Sequence, residues 1–313
     1  MHTPPPVLLL GAHTFLGALT AQRLRAAGIP TRAAFDVPPK PDDEAREWVI
    51  ATLDDPASLR SAARGCACVL NLEPFCDDLD RATAQARNLV AALPEAALPR
   101  LLSLASASNL GPSPERPATE DDDLLPGAAP RWAEAQWAAE AELLAANDSV
   151  SVLVSTFLVG AYTAPHDPRP GLGSLLRLLA QHRLPALPTA TLNLCDARDL
   201  AQTLTHAVRA ARPGQRYLLT GEPTTLRELA DLARATTHGP PHGPDLPTPP
   251  LHAWPALPES LRPLLWRHAP ALAWLLDQAH LPAQGDPKKA HTELRHDPRH
   301  PRVTLKDALA PRT

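Results

Sequence analysis

Lysine is absent between Lys40 and Lys288, tyrosine occurs only at Tyr162 and Tyr217, and the chain holds one methionine and four cysteines. Those cysteines, Cys66, Cys68, Cys76 and Cys195, form no disulfide-like framework, and "CAC" is too tight for a zinc knuckle. They read as reduced core thiols. Long basic runs are missing too: 30 basic residues stand against 34 acidic ones, for a net charge of −4. That balance excludes an electrostatic nucleic-acid or membrane footprint. No apolar stretch is long enough to span a bilayer, and "MHTPPPVLLLG" lacks the basic n-region and longer h-region of a signal peptide. The expectation is a cytoplasmic protein whose partners are small molecules or protein, with no nucleic acid and no membrane. A homodimer is one assembly open to it.

What is present is apolar content, 44% of 313 residues, enough for one large domain or two modest ones. "PVLLLGA" is a short apolar run ending in glycine, and "FLGALTAQRLRAAG" then repeats its apolar residues at helical spacing. The alternation continues through "TRAAFD", "EWVIATL", "DPASLRSAARG", "CACVLNL", "ATAQARNLVAAL" and "RLLSLAS". Short strands buried on both faces and separated by helices imply a parallel sheet covered on both sides. Beyond about Tyr162 the pattern breaks into proline-dense segments, "APHDPRPG", "THGPPHGPDLPTPPLHAWPALPES" and "HDPRHPR". The chain carries 38 prolines, more than twice the usual share of about 5%. Helices such as "GLGSLLRLLAQH", "TLRELADLARA" and "LLWRHAPALAWLLDQAH" lie between them. The chain is expected to return to the sheet at "ATLNLCDARDLAQTLTHAVRA" and "QRYLLTG".

"LGAHTFLG" follows the first strand and opens the first helix, the setting in which backbone N–H groups hold a pyrophosphate. Gly11 makes the turn and Gly17 lets helix and strand pack closely. Between them Thr14 stands where the pattern G-x-x-G-x-x-G has its middle glycine. If that position needs positive φ, a β-branched residue costs about 1–3 kcal/mol. Affinity then falls by about 5- to 150-fold. A plain strand-to-helix turn is the alternative. Asp36 ends the second strand about 20 residues on, where an acidic side chain bonds the adenosine ribose hydroxyls and favours NAD over NADP. It equally suits the opening of the turn "DVPPKPDDE".

Several stretches in order resemble the extended short-chain dehydrogenase/reductase superfamily, specifically its NAD-dependent epimerase/dehydratase and dihydroflavonol-reductase-like group. They are "LLLGAHTFLGALTAQRLRAAG", "ATLDDPASLRSAARGC" (the G-D-L-x-D-P segment), "LLSLASASNLGP" (the serine-bearing strand), "ATEDDDLLP" leading into "WAEAQWAAEAEL", and "NLCDARDLAQTLTHAV". "GQRYLLTGEPTTLRELADL" and "DPKKAHTELRHDPRHPRVTLKDAL" are similar to the closing segments. The resemblance implies NAD or NADP as cofactor, NAD slightly favoured by Asp36. It implies cofactor contacts from Gly11, His13, Thr14, Phe15, Leu16, Gly17, Asp36, Leu53 and Leu72, a small-molecule ligand and no metal.

The resemblance places the catalytic serine at Ser106, the tyrosine at Trp132 and the lysine at Gln136. An indole N–H only donates, and a neutral amide cannot depress a phenol's pKa, so the family's proton transfer cannot run through this pair. Four residues beyond Tyr162 and Tyr217 stand His166 and Gly221, so no shifted Tyr-x-x-x-Lys exists. Other positions have drifted as well: Thr52 replaces the adenine-side Asp, Glu73 and Pro74 replace two alanines, and Ala82 replaces an Asn. Glu140 keeps its place in the A-x-E that ends the helix motif. Glu73, Glu134, His13 and His166 are the residues whose type suits a repositioned general acid, a role worth about 10²- to 10⁴-fold. The histidines after position 204 show no metal spacing on one helix face.

The expected architecture is α/β, a doubly wound parallel Rossmann-type sheet of order 3-2-1-4-5-6 with one more strand near "QRYLLTG", plus a smaller, mostly helical C-terminal substrate lobe. Residues 1–160, with 190–221 returning to the sheet, form the dinucleotide-binding part; 161–189 and 222–313 form the smaller lobe. Three functions stay open. They are an epimerase, dehydratase or reductase acting on a sugar-nucleotide or small carbonyl; a catalytically silent, dinucleotide-sensing regulator; and a subunit-interaction protein.

Overall fold

Val7–Leu10 is four consecutive buried residues, and the alternation along it sorts them onto two faces. Val7 and Leu9 join one apolar cluster, while Leu8 and Leu10 join another, as period-2 geometry requires of a strand covered on both sides. The computed structural model describes residues 4–39, 47–93, 100–111, 116–124, 129–146, 149–160, 172–184, 186–246, 267, 273–275, 278 and 284–309. Tyr162, His166, "APHDPRPG" and most of the helix expected at "LLWRHAPALAWLLDQAH" lie outside the described residues.

In chain order the elements are β1 (Val7–Leu10), α1 (Phe15–Ala26), β2 (Thr31–Phe35), β3 (Trp48–Ile50), α2 (Pro56–Ala63), β4 (Cys68–Asn71), α3 (Leu79–Ala91) and β5 (Arg100–Ser106). A short 3-10 turn at Ala107–Asn109 precedes α4 (Arg131–Ala146), β6 (Val150–Ser155), β7 (Phe157–Val159), α5 (Leu172–Ala180), β8 (Leu187–Pro188), β9 (Thr191–Asp196) and α6 (Ala197–Ala210). Then come β10 (Arg216–Leu219), β11 (Glu222–Thr225), α7 (Leu226–Thr237), β12 (Asp245–Leu246), α8 (Lys288–Leu294) and α9 (Pro301–Leu309).

The main sheet has seven strands in the order β10-β6-β5-β4-β1-β2-β3, and its pairings are parallel. This is the doubly wound Rossmann-type sheet, with the added strand at "QRYLLTG" in place. α1, α6 and α8 cover one face through Leu16, Leu24, Leu200, Leu204 and Leu294. α2, α3 and α4 cover the other through Leu59, Ala86, Leu89, Ala139 and Leu143. Among the described residues no helix is long and apolar enough to cross a membrane. The order reverses between β1 and β4, which sets the loops after those two strands side by side, and the crevice at their carboxyl ends is where such sheets bind ligands.

The return at Thr191–Asp196 differs from expectation. β9 pairs with β7 and β11 in a separate three-stranded sheet. Leu192 and Leu194 there face the apolar cluster of α5, α7 and α9, so burial of those leucines draws the strand away from the main sheet.

The turn into α1 overturns the strain expected at Thr14. Its φ is −75° and ψ 157°, extended backbone that any residue adopts; the positive φ belongs to Gly11, at 77°. Thr14 is the N-cap. Its Oγ1 accepts from the Gly17 N–H at 2.9 Å and donates to the Gly11 carbonyl at 2.8 Å, which satisfies one of the open donors of the first helical turn. Gly17 is required for contact: a Cβ there would lie 2.0 Å from the Gly11 oxygen.

Far from that turn, a buried polar group joins α4 to the sheet edge. Arg216 Nε on β10 lies 2.6 Å from Glu140 Oε1, and the Asn109 amide also donates to Glu140. Burial pushes the Glu140 carboxyl up, while Arg216 and Asn109 hold it down. Arg216 reaches the Glu120 carbonyl at 3.1 Å and Asp123 Oδ1 at 2.8 Å, and the Leu218 N–H donates to Glu120 Oε1 at 3.1 Å. Residues 120–123 of the "ATEDDDLLP" segment are thereby fastened to the sheet.

Two stability measurements check these assignments. By urea unfolding, Thr14→Ala costs about 1 kcal/mol and Thr14→Gly only a few tenths; a Gly variant more stable than the wild type contradicts the cap. Glu140→Gln leaves Arg216 buried without its closest partner, a change worth about 3–5 kcal/mol. Because Asp123 still faces Arg216, a loss near 3 kcal/mol is expected, and a loss below about 1 kcal/mol shows that the pair does not hold α4 to β10.

Candidate nucleotide cleft

A cleft of about 500 Å³ opens at the carboxyl ends of β1 to β4. The β1–α1 turn contributes Gly11 and His13, the end of β2 contributes Asp36, and the β3–α2 connection contributes Thr52, Leu53 and Asp54. The loop after β4 contributes Glu73 to Asp77, and α3 contributes Arg81 and Gln85. Gly11 packs directly on the β4 loop, since a Cβ on it would come within 2.9 Å of the Glu73 nitrogen.

That loop is held by three amide side chains. Buried Asn71 accepts from the Glu73 N–H and donates to the Glu73 carbonyl, each at 3.2 Å. It also donates to Ser103 Oγ at 3.1 Å. Gln85 Oε1 accepts from the Cys76 N–H at 3.0 Å, and its Nε2 donates to Asp54 Oδ1 at 3.0 Å. Gln136 Nε2 donates to the Phe75 carbonyl at 2.7 Å and the Cys76 carbonyl at 3.2 Å. Arg81 forks onto Asp54 at 3.0 and 2.6 Å, and this bonding holds the Asp54 carboxyl below its usual range.

Charge in the cleft is mostly negative: Asp36, Asp54, Glu73 and Asp77 stand against Arg81. Arg81 is already committed to Asp54. Glu73 Oε2 lies 3.9 Å from His13 Nδ1; burial pushes the Glu73 carboxyl up, His13 opposes this and Asp36 adds to it. Among the described residues no group of His, Cys, Asp and Glu is arranged to hold a metal.

Of the residues singled out from sequence, Gly11, His13, Asp36, Thr52, Leu53, Glu73 and Pro74 line the cleft. Asp36 Oδ1 also accepts from the Val37 N–H at 2.9 Å, so the turn-opening role read from sequence is present too. Thr52 Oγ1 accepts from the Asp54 N–H at 3.1 Å, making it part of a turn. Leu16 and Leu72 are buried in the core. Phe15 packs on Gly160, where a Cβ would come within 2.7 Å of its ring.

The catalytic positions fall outside the lining. Ser106 is exposed at the end of β5, its Oγ accepting from the Ser108 N–H at 3.2 Å. Trp132 is half-buried in the first turn of α4, and Gln136 lies one turn further on. Tyr217 is fully buried in β10, donates to Glu293 Oε2 at 2.8 Å and accepts from the Arg212 N–H at 2.9 Å. Burial pushes its phenol up to about 12, so it serves packing. Glu134 is on α4 and also outside the lining.

Sequence reasoning missed Asp54, Arg81 and Gln85. A signal existed: Arg81 and Gln85 are four apart on α3, whose buried stripe is Ala82, Gln85, Ala86 and Leu89. Two polar residues sharing a face beside that stripe mark the side turned toward the sheet's carboxyl edge.

The family described as "NAD dependent epimerase/dehydratase family" matches residues 7–219. Similar solved structures include a nucleoside-diphosphate-sugar epimerase from Pseudomonas aeruginosa, 22% identical with a TM-score of 0.75 over 97% of this chain and 96% of that one. A UDP-glucose 4-epimerase from Thermotoga maritima, solved with UDP-glucose, is 12% identical with a TM-score of 0.74 over 97% of both chains. A dTDP-glucose 4,6-dehydratase from Bacillus anthracis, solved in complex with NAD, is 12% identical with a TM-score of 0.73 over 97% of this chain and 95% of that one. Among curated proteins nothing matches. With a family match that runs from the first strand of the main sheet to its last, the chain belongs to the NAD-dependent epimerase/dehydratase family.

Proposed function

We propose that this chain binds NAD through the cleft at the β1–β4 ends and does not perform the family's Tyr–Lys proton transfer. In this reading the part built on the seven-stranded sheet carries the nucleotide, and β9, with the cluster of α5, α7 and α9, belongs to the substrate-type lobe. The dehydratase relative solved with NAD supports the ligand class. So does the placement of a glycine turn at a helix N-terminus beside Asp36. Preference for NAD over NADP follows from Asp36, whose carboxylate bonds a ribose diol and repels a 2′-phosphate. A cytoplasmic setting suits the four free cysteines.

One observation carries the loss of chemistry. Gln136, at the position where the family has its lysine, spends both N–H bonds of its amide on the Phe75 and Cys76 carbonyls. It therefore supplies neither a cation nor a free donor. Trp132 adds no titratable proton. The protein reads its ligand instead of transforming it.

Calorimetric titration tests the binding, and nicotinamide absorbance with family substrates tests the chemistry. NAD binds, and NADP binds about tenfold or more weakly, since each unit of like charge at 4 Å costs about 1 kcal/mol even in water. Asp36→Ala narrows that gap, and no hydride transfer rises above the buffer rate. An NADP preference, or turnover that survives mutation of Trp132, contradicts the reading; Glu73 and His13 are then the acids to test.

A further inference from the structure

Glu73 stands beside the turn that opens α1. The two backbones touch, since a Cβ on Gly11 would lie 2.9 Å from the Glu73 nitrogen. The carboxylate reaches back to the same turn, with Oε2 3.9 Å from His13 Nδ1. The N–H groups at such a helix start are the part of this fold that attracts phosphate. A diphosphate seated there and a Glu73 carboxylate carry the same sign of charge in the same place, and they oppose each other.

The surroundings do not neutralise Glu73. His13 comes to the cleft from the β1–α1 turn, Asp36 from the end of β2, Asp54 from the β3–α2 connection, Arg81 from α3 and Asp77 from the loop of Glu73 itself. Arg81 forks onto Asp54 at 3.0 and 2.6 Å, so its charge is already matched. His13 is positive only when protonated. Burial pushes the Glu73 carboxyl up; His13 opposes this and Asp36 adds to it. Asn71 fixes the main chain of Glu73 at both its N–H and its carbonyl. The backbone is therefore held against the turn, while the side chain is one-third exposed and open to solvent protons.

Resting on the NAD reading above, we propose that the cleft takes up a proton together with its dinucleotide, that the proton is held by Glu73, and that loading is thereby coupled to pH. The proton comes from solvent and ends on a Glu73 carboxyl oxygen. As a carboxylate, Glu73 only accepts hydrogen bonds and repels phosphate; as the neutral acid it carries an O–H that can donate to a phosphate oxygen. The sign follows directly. A seated diphosphate raises the Glu73 pKa beyond its already raised value in the free protein. Affinity is greatest where Glu73 is protonated before binding, and it falls by as much as about tenfold per pH unit above the free-protein pKa. It levels off above the pKa of the complex.

Calorimetric titrations of the full chain with NAD test this, run from about pH 5.5 to about pH 8 in buffers of different ionisation enthalpy and without divalent cations. The wild type is expected to take up a large fraction of a proton per NAD, at most about one, and to lose about fivefold or more in affinity across that range. Glu73→Gln abolishes the uptake and at about pH 8 binds NAD about fivefold or more tighter than the wild type does. His13→Gln keeps the uptake. Wild-type binding with uptake below about 0.1 proton overturns the proposal and leaves the nucleotide reading intact. Uptake that survives in Glu73→Gln and disappears in His13→Gln belongs to the imidazole and does the same. If NAD binds at no pH in the range, the nucleotide reading fails and this proposal fails with it.

Discussion

Five main-chain groups of the loop after β4 are bonded by the protein's own amide side chains. The N–H and carbonyl of Glu73, the carbonyl of Phe75 and both main-chain groups of Cys76 each meet an amide side chain, from Asn71, Gln85 or Gln136. A loop at a strand's carboxyl end has open backbone groups that need partners. Here Asn71 at the end of β4, Gln85 on α3 and Gln136 on α4 supply them. The loop becomes a wall, Gly11 packs on it, and α1 starts from that contact through the Gly17–Gly11 approach.

A neutral side chain at position 136 suits that wall. A lysine ammonium one turn into α4 would be desolvated there without a carboxylate to pair with. A neutral amide with two donors meets two carbonyls at 2.7 and 3.2 Å and leaves no N–H unsatisfied. Gln136 holds a loop. The architectural ties survive in the same helix, where Glu140 still meets Arg216 and Asn109 across the sheet edge.

Strand order and the first glycine turn are legible in the sequence because each depends on local pattern: apolar runs and glycine spacing. Asp36 and His13 reach the cleft for the same reason, being fixed to strand ends and to the turn. Thr14 misleads because its residue type is compared with a glycine of the family pattern. Its place directly before Phe15, the first helical residue, is the ordinary signature of an N-cap. The destination of the Gln136 amide is invisible locally, since its partners lie about 60 residues away across a packed helix pair. β9 leaves the main sheet for a similar reason: burial of Leu192 and Leu194 against α5 and α7 is a tertiary preference, not a propensity.

The central claim is that Gln136 holds the loop after β4. Urea unfolding of Gln136→Ala reads this most directly. The account predicts a loss of about 1–3 kcal/mol, since two carbonyls lose their donor. Stability equal to that of the wild type would contradict it.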